Sequence, residues 1–293
     1  MGRVFRGYLA GLPVACAIVA LLPAAASATP VPSTVSKRVS VSAGGVTTST
    51  LRCPGKGIAL SGYVSALSGG AFARDSLPGD LHHWSFRLTA NGGSGHARVA
   101  LRCLGLKLPT GLKNVATKVF TTKELLHPGA GSSTVARSSC DKGFVPTGYG
   151  IDRSDAGGSA PQLLLSSAVP GSRSWGFRVK NTGAATQPVT IHLRCLGARA
   201  TGKRGGQSLT EHFKLRRVKA SGTVGSGSLT LRCPRGTYAL AAGHALPAGD
   251  DIFATSSAPS GARGGRFSFR NPSGGKERVH TYLSCLSLGT SFR

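Results

Sequence analysis

Acidic side chains are scarce in this chain of 293 residues: 10 Asp and Glu stand against 36 Lys and Arg, for a formal net charge of +26. A chain so poor in carboxylates cannot neutralise its cations internally, and it has few groups from which to build acid–base chemistry. Other signatures are missing as well. There is no G-x-S-x-G elbow, no H-E-x-x-H pair, no Walker loop and no C-x-x-C, which removes the usual outlines of serine hydrolases, zincins, P-loop enzymes, zinc modules and thioredoxin-type redox sites. No long stretch carries a 3.6-residue apolar period, so helices are not expected. Only Lys118 to Leu126 reads equally well as helix or strand.

Long hydrophobic runs are confined to the start. MGRVFRGYLAGLPVACAIVALLPAAASATP has Arg3 and Arg6 in front, an apolar run from about Tyr8, Pro23 as a breaker and Ala26-Ser27-Ala28 as a small-residue cleavage site. That is the pattern of a secretory signal peptide over residues 1–28, with an uncleaved anchor as the lesser alternative. Cys16 does not close the apolar run as a lipidated cysteine should. Leu108-Pro109-Thr110-Gly111 lacks a residue of a wall-sorting signal and reads as a turn. With no second apolar run, no transmembrane segment is expected after cleavage, and the chain is placed outside the cell, either free or at the wall.

What remains contains six cysteines, Cys53, Cys103, Cys140, Cys195, Cys233 and Cys285, at spacings of 50, 55 and 52 residues within successive pairs. In an exported chain an even number of cysteines implies disulfides. Landmarks between the cysteines recur in one order three times. A turn ending in glycine (Gly57, Gly143, Gly236) is followed by a Ser-to-Pro element (Ser76–Pro78, Ser167–Pro170, Ser257–Pro259). An aromatic strand comes next (Trp84-Ser-Phe-Arg87, Trp175-Gly-Phe-Arg178, Phe267-Ser-Phe-Arg270), then a turn opened by Asn91, Asn181 or Asn271. The period is near 90 residues, long enough for a small domain. The division is 29–108, 109–199 and 200–293. Repeat symmetry pairs Cys53 with Cys103, Cys140 with Cys195 and Cys233 with Cys285, although six cysteines allow fifteen pairings. Each closure stabilises a unit by roughly 3 to 4 kcal/mol in the chain-entropy model.

The local periodicity is two. Trp84, Phe86 and Leu88 share one face of a strand and Arg87 takes the other; Leu101 and Cys103 share a face and Arg102 points away. Leu-Arg-Cys, found at 51–53, 101–103, 193–195 and 231–233, is therefore an in-out-in segment with its arginine expected in water. The early segment of the second copy weakens to Ser138-Ser139-Cys140, where a thinner core is expected. Further strands are expected over Val35–Val41, Val119–Leu126 and Phe213–Val218, giving six or seven short strands per copy. The fold class is all-β, three tandem β-sandwich-like domains with one internal disulfide each.

Cys, Trp and Cys on alternating strands resembles an immunoglobulin-type sandwich. The tryptophan comes 31 or 35 residues after the first cysteine, later than in that family, so the resemblance implies a two-sheet architecture and no named topology. The Cys-Pro-x-Gly opening, W-x-F strand, Asn turn and closing Cys are also similar to secreted repeat modules of high-GC Gram-positive bacteria. That resemblance implies a compartment and no chemistry.

Removing Arg3 and Arg6 with the leader leaves 34 cations against 10 carboxylates. Arg87, Arg178 and Arg270 occupy one column on the outer face of the aromatic strand. Arg102 and Arg194 are expected on a strand pairing with it, so each hairpin would carry a cationic stripe beside the basic connector that includes Lys214, Arg216, Arg217 and Lys219. This pattern suits anionic wall polymers or acidic glycans, with guanidinium forks on phosphate or carboxylate; solvated strand faces in an arginine-rich proteome account for it equally. Interleaved exposed aromatics for nucleic-acid bases are absent from the pattern. Asp152/Asp155 and Asp250/Asp251 read as loop acids and not calcium ligands. His82 and His83 face opposite ways on a strand and do not suit one metal. The expectation is a non-enzymatic protein with no cofactor and no metal. A structural or adhesive protein with a protein partner, and a secreted hydrolase or protease inhibitor, are the alternatives.

Overall fold

A computed structural model of the chain describes residues 32–90, 92–105, 113–116, 118–153, 163–204, 207–247 and 252–292. The stretches expected to be a signal peptide (1–28) and a turn (108–111), together with Asn91, Asp155, Asp250 and Asp251, lie outside these residues. Among them there is no helix, and none is therefore long and apolar enough to cross a membrane.

The first disulfide pins six strands: β1 (Pro32–Val41), β2 (Val46–Arg52), β3 (Ile58–Ser68), β4 (Ala71–Pro78), β5 (His83–Ala90) and β6 (Gly95–Leu104). β7 (Lys113–Ala116) follows. The second pins β8 (Val119–Leu126), β9 (Ser133–Ser139), β10 (Phe144–Asp152), β11 (Leu163–Pro170), β12 (Ser174–Asn181) and β13 (Val189–Gly197). After β14 (Arg199–Arg204), the third pins β15 (Gln207–Val224), β16 (Gly227–Arg232), β17 (Thr237–Ala245), β18 (Phe253–Ser260), β19 (Gly264–Arg270) and β20 (Glu277–Phe292). The stretch from Lys118 to Leu126, open to either reading, is thus strand over Val119–Leu126.

Within each group the strands divide the same way. The first, last and third form one sheet, β1-β6-β3, β8-β13-β10 and β15-β20-β17. The second, fifth and fourth form the other, β2-β5-β4, β9-β12-β11 and β16-β19-β18. A two-sheet unit with its apolar faces together follows directly from period-two patterning. The disulfides are Cys53–Cys103, Cys140–Cys195 and Cys233–Cys285, with Cα separations of 5.6, 5.7 and 5.7 Å. Each joins the end of an early strand in one sheet to the last strand in the other.

Around each disulfide lies an apolar core. Trp84, Phe86 and Leu88 of β5 face Val99, Leu101 and Cys103 of β6 in the first unit, and Trp175 and Phe177 face Ile191, Leu193 and Cys195 in the second. Phe267 and Phe269 play this part in the third. Where Leu51 and Leu231 are buried, the second unit has buried Ser138, whose hydroxyl lies 2.8 Å from that of Thr122. Tyr149 compensates in part, its ring packing 4.9 Å from Trp175 and 5.4 Å from Phe177. The Asn turns are Asx-type closures: Asn181 Oδ1 accepts from Gly183 N and Asn271 Oδ1 from Ser273 N, while both side-chain amides donate to carbonyls four residues on.

One expectation is corrected by this topology. The aromatic strands β5, β12 and β19 do not pair with the late cysteine strands; they pair with the second and fourth strands of their units, and the late strands lie in the opposite sheet. Two strands whose inner residues must meet face to face to fill a core cannot also be neighbours in one sheet.

The units are not separate beads. The second sheet of the first unit continues into the first sheet of the second through β4 and β10, where Ser76 pairs with Ile151. The second unit continues into the third through β11 and β17, where Ser167 pairs with Ala245. At the remaining seam β18 of the third unit lies against β3 of the first, with Ser256 Oγ donating towards Val64 O and Ser65 O at 3.5 and 3.3 Å. The chain therefore closes into a three-sided ring. On its inside a fourth apolar cluster draws on all three units: Ile58, Leu60 and Leu104 from the first, Leu196 from the second, Leu240, Leu286 and Phe213 from the third.

Candidate functional site

Ring closure places one residue of each late strand in a seam. Arg102 on β6 and Arg194 on β13 are 2% and 3% exposed, which corrects the expectation that they face water. The outer face of each late strand alternates normally in its first half, as in β6 from Gly95 to Val99, and is then buried throughout, from Ala100 to Leu104, because a neighbouring unit covers it. Arg194 reaches from the second unit into the first, donating from Nε to Ala59 O at 3.1 Å and from its terminal nitrogens to Gly79 O and Asp80 O, with Thr121 Oγ1 beside it. Arg102 does the same from the first unit into the third, donating to Ala239 O at 2.8 Å and Gly261 O at 2.6 Å, and to Thr34 Oγ1. Burial pulls Arg194 down to about 10, with Asp80 opposing, and it stays cationic at neutral pH. A buried charge is tolerated when its donors are satisfied, and in both cases main-chain carbonyls of the next unit do this.

The third copy solves the position differently. Ser284 stands where the other two have arginine, and the residue paired with it across the β15–β20 ladder is Arg217, where the others have Thr34 and Thr121. Arg217 Nη1 donates to Pro170 O of the second unit at 3.1 Å while its guanidinium lies 5.7 Å from the Tyr282 ring centre. Arg217 is exposed, so this link is the most accessible of the three.

The seam between the first and second units also holds an ion cluster. Asp75 lies opposite Arg87 in the β4–β5 ladder, with Arg87 Nε 2.6 Å from Asp75 Oδ2 and Nη2 3.1 Å from Asp152 Oδ1. Arg153 donates its backbone N–H to Asp75 Oδ1 and its guanidinium to Ala73 O and Arg74 O at 2.8 and 3.0 Å. Burial pushes the Asp75 carboxyl up, against the pull of the Arg153 amide and the Arg87 cation. Burial likewise lowers Arg153 to about 10. Arg87 is therefore held between two carboxylates and is not part of a free stripe, and Asp152 is a seam partner and not a loose loop acid. Arg178, whose ladder partner is Ser167, is half-buried, and Arg270, opposite Phe253, is exposed.

Between β3, β4, β10, β11, β17 and β18 lies a cavity of about 790 Å³, at the centre of the ring. Its walls include Val64, Leu67, Phe72, Leu163 and Phe253, with Asp75, Arg153, His244 and Arg270 among them. His244 Nε2 donates to Leu165 O at 2.9 Å across the β11–β17 seam, and burial pulls its basicity down, so the ring is neutral at pH 7 with Nδ1 an acceptor.

Other cations are exposed on the strands. Lys37, Arg38 and Arg98 are exposed on β1 and β6, with Arg38 directly opposite Arg98; Lys214, Arg216, Lys219 and Arg278 are exposed on β15 and β20. His82 Nδ1 bonds to Gly57 O, and His83 Nδ1 to Asp80 Oδ1, both at 2.7 Å. Asp80 is thereby lowered to about 2, mainly by the His82 amide and the His83 ring. Among the described residues no three metal-ligating side chains converge. Sequence reasoning missed the seam and the cavity. The one available signal was Leu104, Leu196 and Leu286, an apolar residue one step past each late cysteine, on the face assigned to water.

No protein-family model matches the chain, and no curated protein matches it.

Proposed function

We propose that the chain is an exported, non-enzymatic protein that binds anionic polymers of the cell envelope, such as wall polyphosphates or acidic glycans, through cations on the outer faces of its first and third units. The three disulfides fit an extracellular protein. The observation that carries the reading is the placement of Arg38 opposite Arg98, and of Lys219 and Arg278 each close to His280 on one face of the β15–β20 ladder, with no carboxylate paired to them among the described residues. Like charges facing each other across a ladder, as Arg38 and Arg98 do, destabilise a sheet, so stability alone does not favour that pair, whereas a polyanion would neutralise it. Four exposed cations, Arg38, Arg98, Lys219 and Arg278, lie on these faces; Lys37, Lys214 and Arg216 are exposed on the other side of their strands, opposite Val99, Ser287 and Cys285, and the buried Arg102 and Arg194 and the acid-paired Arg87 are not among them. The test is retention on heparin or teichoic-acid matrices across a salt series. Elution should move to lower salt when Arg38, Arg98, Lys219 and Arg278 are changed to Gln; retention indifferent to salt and to these changes would refute the reading.

A further inference from the structure

The central cavity has a cause that can be read from the three seams. Where β10 meets β4, a Cβ on Gly150 would come 2.2 Å from Ser76 O, and where β17 meets β11, a Cβ on Gly243 would come 2.1 Å from Ala168 O. Only glycine lets these backbones approach closely enough to pair. The corresponding residue of β3 is Tyr63, as judged by the ladder to the late strand: Tyr63, Gly150 and Gly243 pair with Ala100, His192 and Tyr282, each two residues before the Arg102, Arg194 or Ser284 position. The seam with Tyr63 is the one at which β3 and β18 share no ladder. The cavity runs along it, lined by β3 on one side and Phe253 to Ser257 of β18 on the other.

Its lining is mixed in a way that a simple packing defect is not. The walls are largely apolar, yet two buried polar atoms there, His244 Nδ1 and Ser257 Oγ, have no hydrogen-bond partner among the described residues. His244 is 4% exposed, and because its Nε2 is committed to Leu165 O, Nδ1 can only accept. Buried polar atoms are nearly always satisfied. The charge is asymmetric too: Arg74, Arg153 and Arg270 line the space against Asp75 alone, and Arg270, unlike its counterpart Arg87, faces no acid across its ladder. A volume of about 790 Å³ lies within the range of about 300 to 1,000 Å³ usual for small-molecule sites.

From this geometry we infer a second, small-molecule site: the cavity takes an amphipathic acid with an apolar chain, one anionic group directed to Arg270 and one N–H or O–H donor for His244 Nδ1. The chain of the ligand lies against Val64, Leu67, Leu163 and Phe253. The site is independent of the outer cationic faces.

The test uses the full mature chain and three probes, N-dodecanoylglycine, dodecanoic acid and dodecanol, by calorimetric titration. The acyl-glycine should bind at one site per chain, the fatty acid more weakly, and the alcohol weakest, about tenfold below the fatty acid for loss of the charge-assisted contact. Arg270→Gln, at an exposed position, should erase the preference for the acids over the alcohol. Thr255→Trp, which fills the cavity from a half-buried strand position, should abolish binding of all three while leaving retention on heparin unchanged. No saturable binding of any probe by the folded wild-type chain would overturn the inference. So would equal affinity for acid and alcohol, or binding by correctly folded Thr255→Trp chain at the wild-type level. Folding of each variant is verified by its thermal transition, and Arg270→Gln carries the test if Thr255→Trp does not fold.

Discussion

The three seams of the ring do the same job with different parts. The seam between the first and second units has the β4–β10 pairing, the buried Arg194 and the Asp75–Arg87–Asp152 cluster. The seam between the second and third has the β11–β17 pairing and the His244 bond, with the exposed Arg217 where the other two seams have a buried arginine. The seam between the third and first keeps a buried arginine, Arg102, and has no ladder. Backbone pairing and guanidinium clasps are thus partly interchangeable: each seam lacking one retains the other. What a seam cannot lack is some partner for the carbonyls of the neighbouring turn, because buried carbonyls left unpaired are destabilising by about 1 to 3 kcal/mol each.

The largest effect that would separate the seams is expected from Arg194→Ala. It removes donors to Ala59, Gly79 and Asp80 together and should destabilise the chain by about 3 to 5 kcal/mol, measured by urea unfolding with the disulfides intact. Arg102→Ala should fall in the same range, since its partners are equivalent. Gly243→Val comes next. Its side chain would have to displace the Ala168 carbonyl, and a loss of about 2 to 4 kcal/mol is expected, concentrated at the second seam. Arg217→Ala should lower stability by only about 1 kcal/mol, because its guanidinium is largely in water. The exchanged pair Arg217→Thr with Ser284→Arg should regain that loss if the ladder position and not the particular strand is what matters.

Acid should act most on the seam that holds His244. Burial depresses its basicity, so on acidification the unfolded chain takes up the proton first. The stability it supports is present above the ordinary histidine value of about 6.5 and is lost as pH falls below it. His192 is shifted the same way. Asp80, lowered to about 2, adds a separate loss between about pH 4 and pH 2. Thermal midpoints between pH 7.5 and 5.0 should therefore decline in the wild type, and the decline should be shallower in His244→Gln. An unchanged slope would remove His244 from the account.

Within a unit the sequence was a good guide, and between units a poor one. Trp84, Phe86, Leu88, Leu101 and Cys103 lie where period-two alternation puts them, and the three disulfides join the cysteines that recurrence pairs. Alternation reports only that two faces differ. It does not say what covers the second face, and an arginine there reads as solvated. Arg102 and Arg194 are buried because carbonyls 137 and 135 residues away in sequence take their donors, and no local pattern encodes such a partner. Arg87 was misplaced for the opposite reason: its acids, Asp75 and Asp152, come from a neighbouring strand and a neighbouring unit.

Whether three disulfide-pinned units form one closed ring is tested most directly by urea unfolding followed in all of them at once. Tryptophan emission reports the first and second units through Trp84 and Trp175, and amide exchange in β16, β19 and β20 reports the third. Coincident transitions in the wild type, all shifted together by Arg194→Ala, are the result this account predicts. A third unit that unfolds at its own midpoint, unmoved by the loss of Arg194, would contradict it.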